Sequence, residues 1–361
     1  MNWKLRKRDG LLGQARTLIG GVLISLLMVS MLAVNVEHRI GGGGAGFASS
    51  STSSNRYRWG LSAVKAPEAW KTTRGSKDIT VAVIDSGIDR ELTAFDNRLW
   101  RNSDEVPGDG IDNDNNGYVD DVHGWDFRSA EPRPAEFSSL HYHGTFVAGL
   151  ISSTVNQRTG SGGVAPHVNI MDLRFLDSEG RFYTSDWHKL ADAIEYAVDN
   201  GAEIINMSLF ASIRPPRFVH QAIKRAVSEG VLVVGIAGNS GGSVGYFGSW
   251  EEVYSVSAID RRQHPASFSN TGPEVDIAAP GVQVLSLAPG GRTLTGSGTS
   301  FAAPHVSGTA ALLLSLNREL SQEELRSLLS ETAKDVGSPG IDYSTGAGIV
   351  DVQSAVVAAS G

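Results

Sequence analysis

Short runs of apolar residues alternate with amphipathic segments along residues 59–361. Uniformly apolar runs without a solvent-facing position are typical of strands in a parallel sheet that is covered on both faces. Such runs, which we predict to be strands, lie at 79–84, 170–175, 203–207, 231–237 and 253–258. Apolar residues at helical spacing predict helices at 184–200 and 216–229. The alternation predicts an α/β fold, a three-layer domain with a mostly parallel central sheet that spans residues 59–361.

The first 58 residues differ from this pattern. Residues 1–17 are basic, 18–36 include an uncharged apolar stretch, and 37–58 are rich in Gly and Ser. A cleavable signal peptide has about 7 to 15 apolar residues, whereas a membrane-spanning helix needs about 17 to 25. The stretch at 18–34 lies at the border, so we expect either a signal anchor or a signal peptide at 18–36, followed by a flexible linker.

The distribution of charge supports export. Basic residues crowd the N-terminus just before the apolar stretch, which predicts a cytoplasmic N-terminus and an extracytoplasmic domain, tethered to the membrane if the segment is uncleaved. The whole chain of 361 residues carries a formal charge of -8, so its remainder is acidic and we expect no nucleic-acid partner. The chain has no cysteine, which excludes disulfides, thiolate metal sites and a cysteine nucleophile.

Three distant residues have the chemistry of a serine hydrolase. Asp85 directly follows the first predicted strand, His143 opens a run of small and apolar residues, and Ser300 lies at the start of a long predicted helix. A serine hydroxyl is a weak nucleophile until an imidazole takes its proton, and a carboxylate must orient that imidazole. In an open α/β sheet, ligands bind beyond the carboxyl ends of the strands, so Asp85 is well placed for this role.

The segments around these residues resemble the subtilisin-like serine proteases, also called subtilases or peptidase family S8. The resemblance is carried by the order Asp, His, Ser and by three sequences, Val83-Ile84-Asp85-Ser86-Gly87, His143-Gly144-Thr145 and Gly298-Thr299-Ser300-Phe301-Ala302-Ala303-Pro304. It implies an exported serine endopeptidase that cleaves polypeptides through an acyl-enzyme. Ser300 would be the nucleophile, His143 the general base and Asp85 the residue that orients it. His141 is then expected at the surface.

The resemblance also implies two binding elements. Asn239, in Gly238-Asn239-Ser240-Gly241, would donate a hydrogen bond to the tetrahedral intermediate. Ser208, Leu209 and Phe210 would pair with an extended peptide substrate. Phe210 stands where the family has a glycine, and Phe146 where it usually has a histidine. These departures keep open an alternative, a catalytically inactive or narrowly specific relative that binds exported peptides.

An acidic segment at 109–121 has oxygen-bearing residues at alternate positions around a glycine. This pattern suits calcium, which takes six to eight oxygen ligands. The candidate ligands are Asp112, Asp114, Asn116, the carbonyl of Tyr118, Asp120 and Asp121. His123 stands where an EF-hand loop would have Glu, so Asp120 or Asp121 would have to complete the shell. The alternative is a solvated acidic loop without an ion.

Overall fold

The structure is a computed structural model that describes residues 59–132, 140–156 and 159–361, together with the backbone of residues 32–35. The strands are β1 Leu32–Asn35, β2 Thr80–Asp85, β3 Asn169–Arg174, β4 Ile204–Asn206, β5 Leu232–Ile236, β6 Val253–Ile259, β7 Ile277–Pro280, β8 Val284–Ala288 and β9 Arg292–Ser297. The helices are α1 Trp59–Ala63, α2 Ala66–Ala69, α3 Tyr142–Ser152, α4 Trp187–Asp199, α5 Arg217–Ser228, α6 Thr299–Leu316, α7 Gln322–Glu331 and α8 Val352–Ala359.

Six strands form a parallel sheet in the order β3-β2-β4-β5-β6-β7. The chain runs from β2 outward to β3 and then returns to the other side of β2 for β4, so the strand order reverses beside β2. Ligands in open α/β sheets bind beyond the carboxyl ends of strands at such a reversal. The α/β fold is confirmed, and each of the five predicted strands is within one residue of an observed strand at both ends.

Alternate residues of the strands enter two separate apolar layers. In β2, Val81 and Val83 face the layer that contains α3, α6 and α8, whereas Ala82 and Ile84 face the layer that contains α4 and α5. Successive side chains of a strand point to opposite faces, so a strand that is apolar throughout must be covered on both. This is the three-layer arrangement that the uniform apolar runs predict.

The helix α6 is buried along almost its whole length. Every residue from Thr299 to Leu314 is buried, and the helix packs across β4, β5, β6 and β7. Small residues permit this close packing. A Cβ atom at Gly308 would lie 2.7 Å from the Cβ atom of Val164, nearer than side chains tolerate. The helix that carries Ser300 is therefore held rigidly against the sheet.

A second, antiparallel sheet has the order β1-β9-β8. β8 and β9 form a hairpin, and β1 pairs with β9 so that Leu32 lies opposite Ser297 and Asn35 opposite Thr295. β1 falls within the predicted segment 18–36, and the remaining residues of 1–36 and the linker 37–58 lie outside the described residues. Within the described part of the chain, no helix combines the length and the apolar character needed to cross a membrane.

We predict that His305 makes folding stability depend on pH. The His305 side chain on α6 is 1% exposed, its Nδ1 bonds to the Phe301 carbonyl at 2.9 Å, and burial lowers its pKa to about 4. His305 is therefore protonated below about pH 6.5 in the unfolded chain but only below about pH 4 in the folded chain. This difference contributes about 3 kcal/mol to the free energy of unfolding, which is fully present above pH 6.5 and is lost as the pH falls toward 4.

Urea unfolding between pH 7.5 and 4, in a Ser300→Ala background that removes the nucleophile implied by the resemblance, measures this dependence. His305→Gln should flatten the curve, whereas His264→Gln, at an exposed site, should leave it unchanged. Identical curves for wild-type and His305→Gln proteins would contradict the prediction.

Candidate active site

Asp85, His143 and Ser300 come from three elements that meet at the carboxyl edge of the parallel sheet. Asp85 is the last residue of β2, His143 lies in the first turn of α3, and Ser300 lies in the first turn of α6. They are 1%, 4% and 2% exposed, respectively. The ring centroids of His143 and Phe301, the residue after Ser300, are 5.4 Å apart, so the starts of α3 and α6 lie close together.

A hydrogen-bonded contact joins Asp85 to His143. Both carboxylate oxygens of Asp85 lie 2.8 Å from Nδ1 of His143. The backbone N–H of Ser86 donates to Oδ1 of Asp85 at 2.7 Å, which holds the carboxylate in place. A carboxylate at Nδ1 retains a proton on that nitrogen, so Nε2 of the neutral ring is left as the proton acceptor.

Two glycines allow the segment after β2 to lie directly against the start of α3. A Cβ atom at Gly144 would come within 2.5 Å of the Gly87 carbonyl oxygen, so no other residue fits there without movement. Ser86 links the same segments, because its hydroxyl accepts from Gly144 N at 2.9 Å and donates to the His141 carbonyl at 3.0 Å. The Asp-Ser-Gly and His-Gly sequences are therefore complementary parts of one contact.

Ser300 is anchored to the segment after β4. The Ser208 hydroxyl donates to the Ser300 carbonyl at 2.9 Å, and Ser300 Oγ donates to the Ser208 carbonyl at 3.5 Å. Pro304 explains why the Ser300 carbonyl is free to accept, since a proline four residues later in a helix supplies no N–H. Within the described residues, no hydrogen bond joins Ser300 Oγ to His143.

Asn239 lies beyond the end of β5 with its amide oriented by Thr299. Its Oδ1 accepts from the Thr299 backbone N–H at 2.8 Å and from the Thr299 hydroxyl at 2.9 Å. Because only the amide oxygen can accept these two bonds, they fix the orientation of the amide group. Nδ2 is then on the other side and remains able to donate. Asn270 supports the same loop, since its Oδ1 accepts from Ser240 N at 2.8 Å and its Nδ2 donates to the Ala237 carbonyl at 3.2 Å.

The three residues predicted to pair with substrate differ from one another in burial. Ser208 and Leu209 are fully buried, so neither side chain reaches the solvent, whereas Phe210 is half-buried. β4 ends at Asn206, and these residues continue from it without being part of a described strand. Any pairing with a peptide would therefore involve their backbone groups.

Two neighbours of His143, Phe146 and His141, differ in burial. Phe146 is fully buried, and its ring lies 4.3 Å from that of Phe301. The His141 side chain, which we expect at the surface, is half-buried in the structure. Burial, followed by the charge of His143, lowers the pKa of His141 to about 4, which keeps its ring neutral near pH 7.

The predicted metal ligands divide into two groups in the structure. Carboxylate oxygens of Asp112 and Asp114 lie within 4.8 Å of one another and of Glu105, which the sequence pattern missed because it lies outside the repeating segment. Asp120 instead accepts from Gly108 N at 2.6 Å and from Gly110 N at 3.0 Å.

Asp121 is the buried end of the acidic loop, and the exposed Asn116 bonds to it. Asp121 Oδ2 accepts from Asn116 Nδ2 at 2.9 Å and from the Tyr196 hydroxyl at 2.5 Å. Burial and the neighbouring Asp121 carboxylate raise the pKa of Tyr196, so the phenol stays a donor. Asn116 Oδ1 accepts from the Tyr118 N–H at 2.8 Å. Asp121 thereby links the acidic loop to α4.

Comparison with known proteins identifies the family of the chain. A family model described as the subtilase family matches residues 76–348. A thermophilic serine proteinase of Bacillus sp. (strain AK1) is 36% identical over 80% of this chain and 65% of its own length. An intracellular serine protease of Paenibacillus polymyxa is 34% identical over 79% of this chain and 82% of its own length. Subtilisin BL of Lederbergia lenta is 35% identical over 82% of this chain and 97% of its own length.

The chain belongs to the subtilase family. Family membership and the similarity to serine proteases support a serine-type endopeptidase. The chain spans about two thirds of the length of the thermophilic relative and nearly all of subtilisin BL.

Proposed function

We propose that the protein is an endopeptidase whose Ser300, His143 and Asp85 form a catalytic triad. The observation that carries the proposal is the pair of 2.8 Å contacts between the Asp85 carboxylate and Nδ1 of His143, at the sheet edge where α6 begins with Thr299 and Ser300. In the proposed first step, Nε2 of His143 accepts the Ser300 hydroxyl proton while Oγ attacks the substrate carbonyl carbon. Asp85 stabilises the imidazolium that forms.

Asn239 would stabilise the oxyanion of the tetrahedral intermediate. Its Nδ2 is left free by the two bonds from Thr299, and the backbone N–H of Ser300 belongs to a first helical turn, where N–H groups have no acceptor within the helix. Both donors are held before the reaction, so little reorganisation is needed when the negative charge develops. Collapse of the intermediate passes the proton from His143 to the leaving amine, and water then hydrolyses the acyl-enzyme.

Ser300 and His143 are expected to be essential for reaction with a serine-directed probe. A fluorophosphonate should label the wild-type protein, and Ser300→Ala or His143→Ala should abolish labelling because each removes the nucleophile or its base. Ser249→Ala, which alters a half-buried residue, and His264→Ala, which alters an exposed one, serve as matched controls. A folded wild-type protein that is not labelled would exclude the triad and would favour a peptide-binding relative without activity.

Peptide hydrolysis tests the proposed roles of Asp85, which orients His143, and of Asn239, which stabilises the oxyanion. Asp85→Asn should lower kcat about 10,000-fold, because an amide does not retain the required tautomer. Asn239→Ala should lower kcat about 100- to 1,000-fold with little change in KM, the range that loss of such a donor gives in a related subtilisin. Asn200→Ala, at the end of α4, is the control. An Asn239→Ala effect on KM alone would contradict an oxyanion role.

We also propose that the acidic loop binds a structural calcium ion through Asp112, Asp114 and Glu105. Three carboxylates that each place an oxygen within 4.8 Å of the others suit a hard cation, which would offset their mutual repulsion. Asn116, Tyr118, Asp120 and Asp121 remain predicted ligands. Their bonds within the loop leave carbonyl or carboxylate oxygens with further acceptor capacity. The ion would stabilise the loop and take no part in peptide hydrolysis.

Calcium should therefore raise the thermal stability of the Ser300→Ala protein. At a free concentration 100 times the Kd, the gain is about 2.7 kcal/mol, and EDTA should remove it. Asp114→Asn should weaken the calcium-dependent rise in Tm because it removes a charged ligand. Asp260→Asn, whose carboxylate accepts N–H bonds in a different loop, should retain it. An equal Tm with calcium and with EDTA would contradict the site.

The location of the domain outside the cytoplasm is a separate proposal. It rests on the basic residues at 1–17 and the apolar stretch within 18–36. The similar proteins include one named as intracellular, so family membership alone does not determine the compartment. Fractionation of cells that express the full chain should find it in the membrane or outside the cell, and deletion of residues 1–36 should leave it in the cytoplasm. Retention of the full chain in the cytoplasm would contradict export.

A further inference from the structure

The ring of Phe210 lies between two backbone segments beside the candidate active site. β4 and β5 pair in parallel as far as Asn206 and Val234, and Met207 N then donates to the Val234 carbonyl at 2.8 Å. Beyond this bond, the chain from β4 continues to Phe210 and the chain from β5 continues through Gly238 to Asn239. Any recess between these segments is thus next to the proposed oxyanion donor.

Two glycines lie beside the side of the Phe210 ring formed by Cδ2 and Cε2. A Cβ atom at Gly238 would lie 2.6 Å from Cε2 of Phe210, and one at Gly245 would lie 2.4 Å from the same atom. Real Cβ atoms essentially never approach a neighbour within 3.0 Å. A side chain at either position would therefore overlap the ring, and at Gly238 it would also overlap Asn270 Nδ2, at 2.4 Å.

Backbone hydrogen bonds close the recess around the ring. Gly245 N donates to the Ala237 carbonyl at 3.0 Å, and Tyr246 N donates to the Ala211 carbonyl at 3.1 Å. These bonds connect the loop that bears Gly245 to both segments that flank Phe210. Because the walls are fixed by backbone contacts, the ring is held from several sides.

The filled recess is next to the reacting atoms. Ser208, two residues before Phe210, has its carbonyl oxygen 3.5 Å from Ser300 Oγ, and Gly238 directly precedes Asn239. A peptide whose carbonyl carbon is attacked by Ser300 and whose oxygen faces Asn239 must place the side chain of that residue near the two segments. Phe210 already fills the space between these segments that such a substrate side chain would need.

We propose that Phe210 fills the specificity recess and restricts cleavage to peptides with a small side chain, Gly, Ala or Ser, on the residue whose carbonyl is attacked. The inference rests on the proposed triad and narrows its substrate class. A large side chain could bind only if the ring left its place between Gly238 and Gly245. Exclusion of several carbon atoms from a filled pocket commonly discriminates by about 100-fold or more.

Paired peptides that differ only by Ala or Phe at this residue test the proposal. In the wild-type protein, kcat/KM should be about 100-fold or more in favour of Ala. Phe210→Ala should open the recess and raise kcat/KM for the Phe peptide, so that the ratio falls by at least about 10-fold. Phe218→Ala is the matched control, because Phe218 is also half-buried but stacks on His188 in a different place.

A wild-type enzyme that cleaves both peptides equally, or a ratio that Phe210→Ala leaves unchanged, would overturn the proposal while leaving the triad intact. The fluorophosphonate assay separates this result from failure of the triad, since an unlabelled wild-type protein would overturn both. Phe210→Leu should keep a preference for Ala, because leucine still fills part of the recess. Loss of the preference in Phe210→Leu as in Phe210→Ala would contradict simple filling by volume.

A double-mutant cycle tests the packing without using activity. Gly245 does not have a left-handed backbone conformation, so Gly245→Ala mainly adds a methyl group against the Phe210 ring. In the Ser300→Ala background, this substitution should lower Tm by about 3 to 6 °C, and it should cost little when combined with Phe210→Ala. Additive effects of the two substitutions would show that the ring does not occupy the recess.

Discussion

The parallel pairing of β2, β4 and β5 is the constraint on which the rest of the site depends. Because parallel strands end at the same edge, Asp85, the Ser208–Phe210 segment and Asn239 all emerge together. The buried helix α6 then presents Ser300 to that edge, and α3 presents His143. A shift in the register of any of these strands would move its polar residue away from the others, since one residue of slip reverses the direction of a side chain.

Glycines determine how closely the parts of the site approach one another. Gly144 and Gly87 bring the His143 helix against the Asp85 segment, whereas Gly238 and Gly245 make room for an aromatic ring. The absence of a side chain at glycine thus has two different effects in this molecule. One pair of glycines permits a catalytic contact between backbones, and the other creates a volume that a neighbouring side chain has filled.

Sequence reasoning was accurate where a local pattern carries the information. The central strands could be predicted because each is an apolar run whose length reflects burial on both faces, and Asp85 could be located because it ends such a run. β7, β8 and β9 were not predicted, since they are short and mix small, polar and apolar residues. Glu105 and Asn270 were missed for a different reason. Each acts on a loop several residues away, and no local spacing indicates such a contact.

By itself, the sequence determined the fold class, the chemical identity of the proposed catalytic residues and the family. Uniformly apolar runs indicate buried strands, and short motifs identify the reactive side chains. Only the tertiary structure decided that both oxygens of Asp85 contact one nitrogen of His143 and that Thr299 orients Asn239. It also decided the position of Phe210. A phenylalanine in the sequence could face solvent, the core or the cleft. The space between Gly238 and Gly245 exists only after strands from distant parts of the chain have paired.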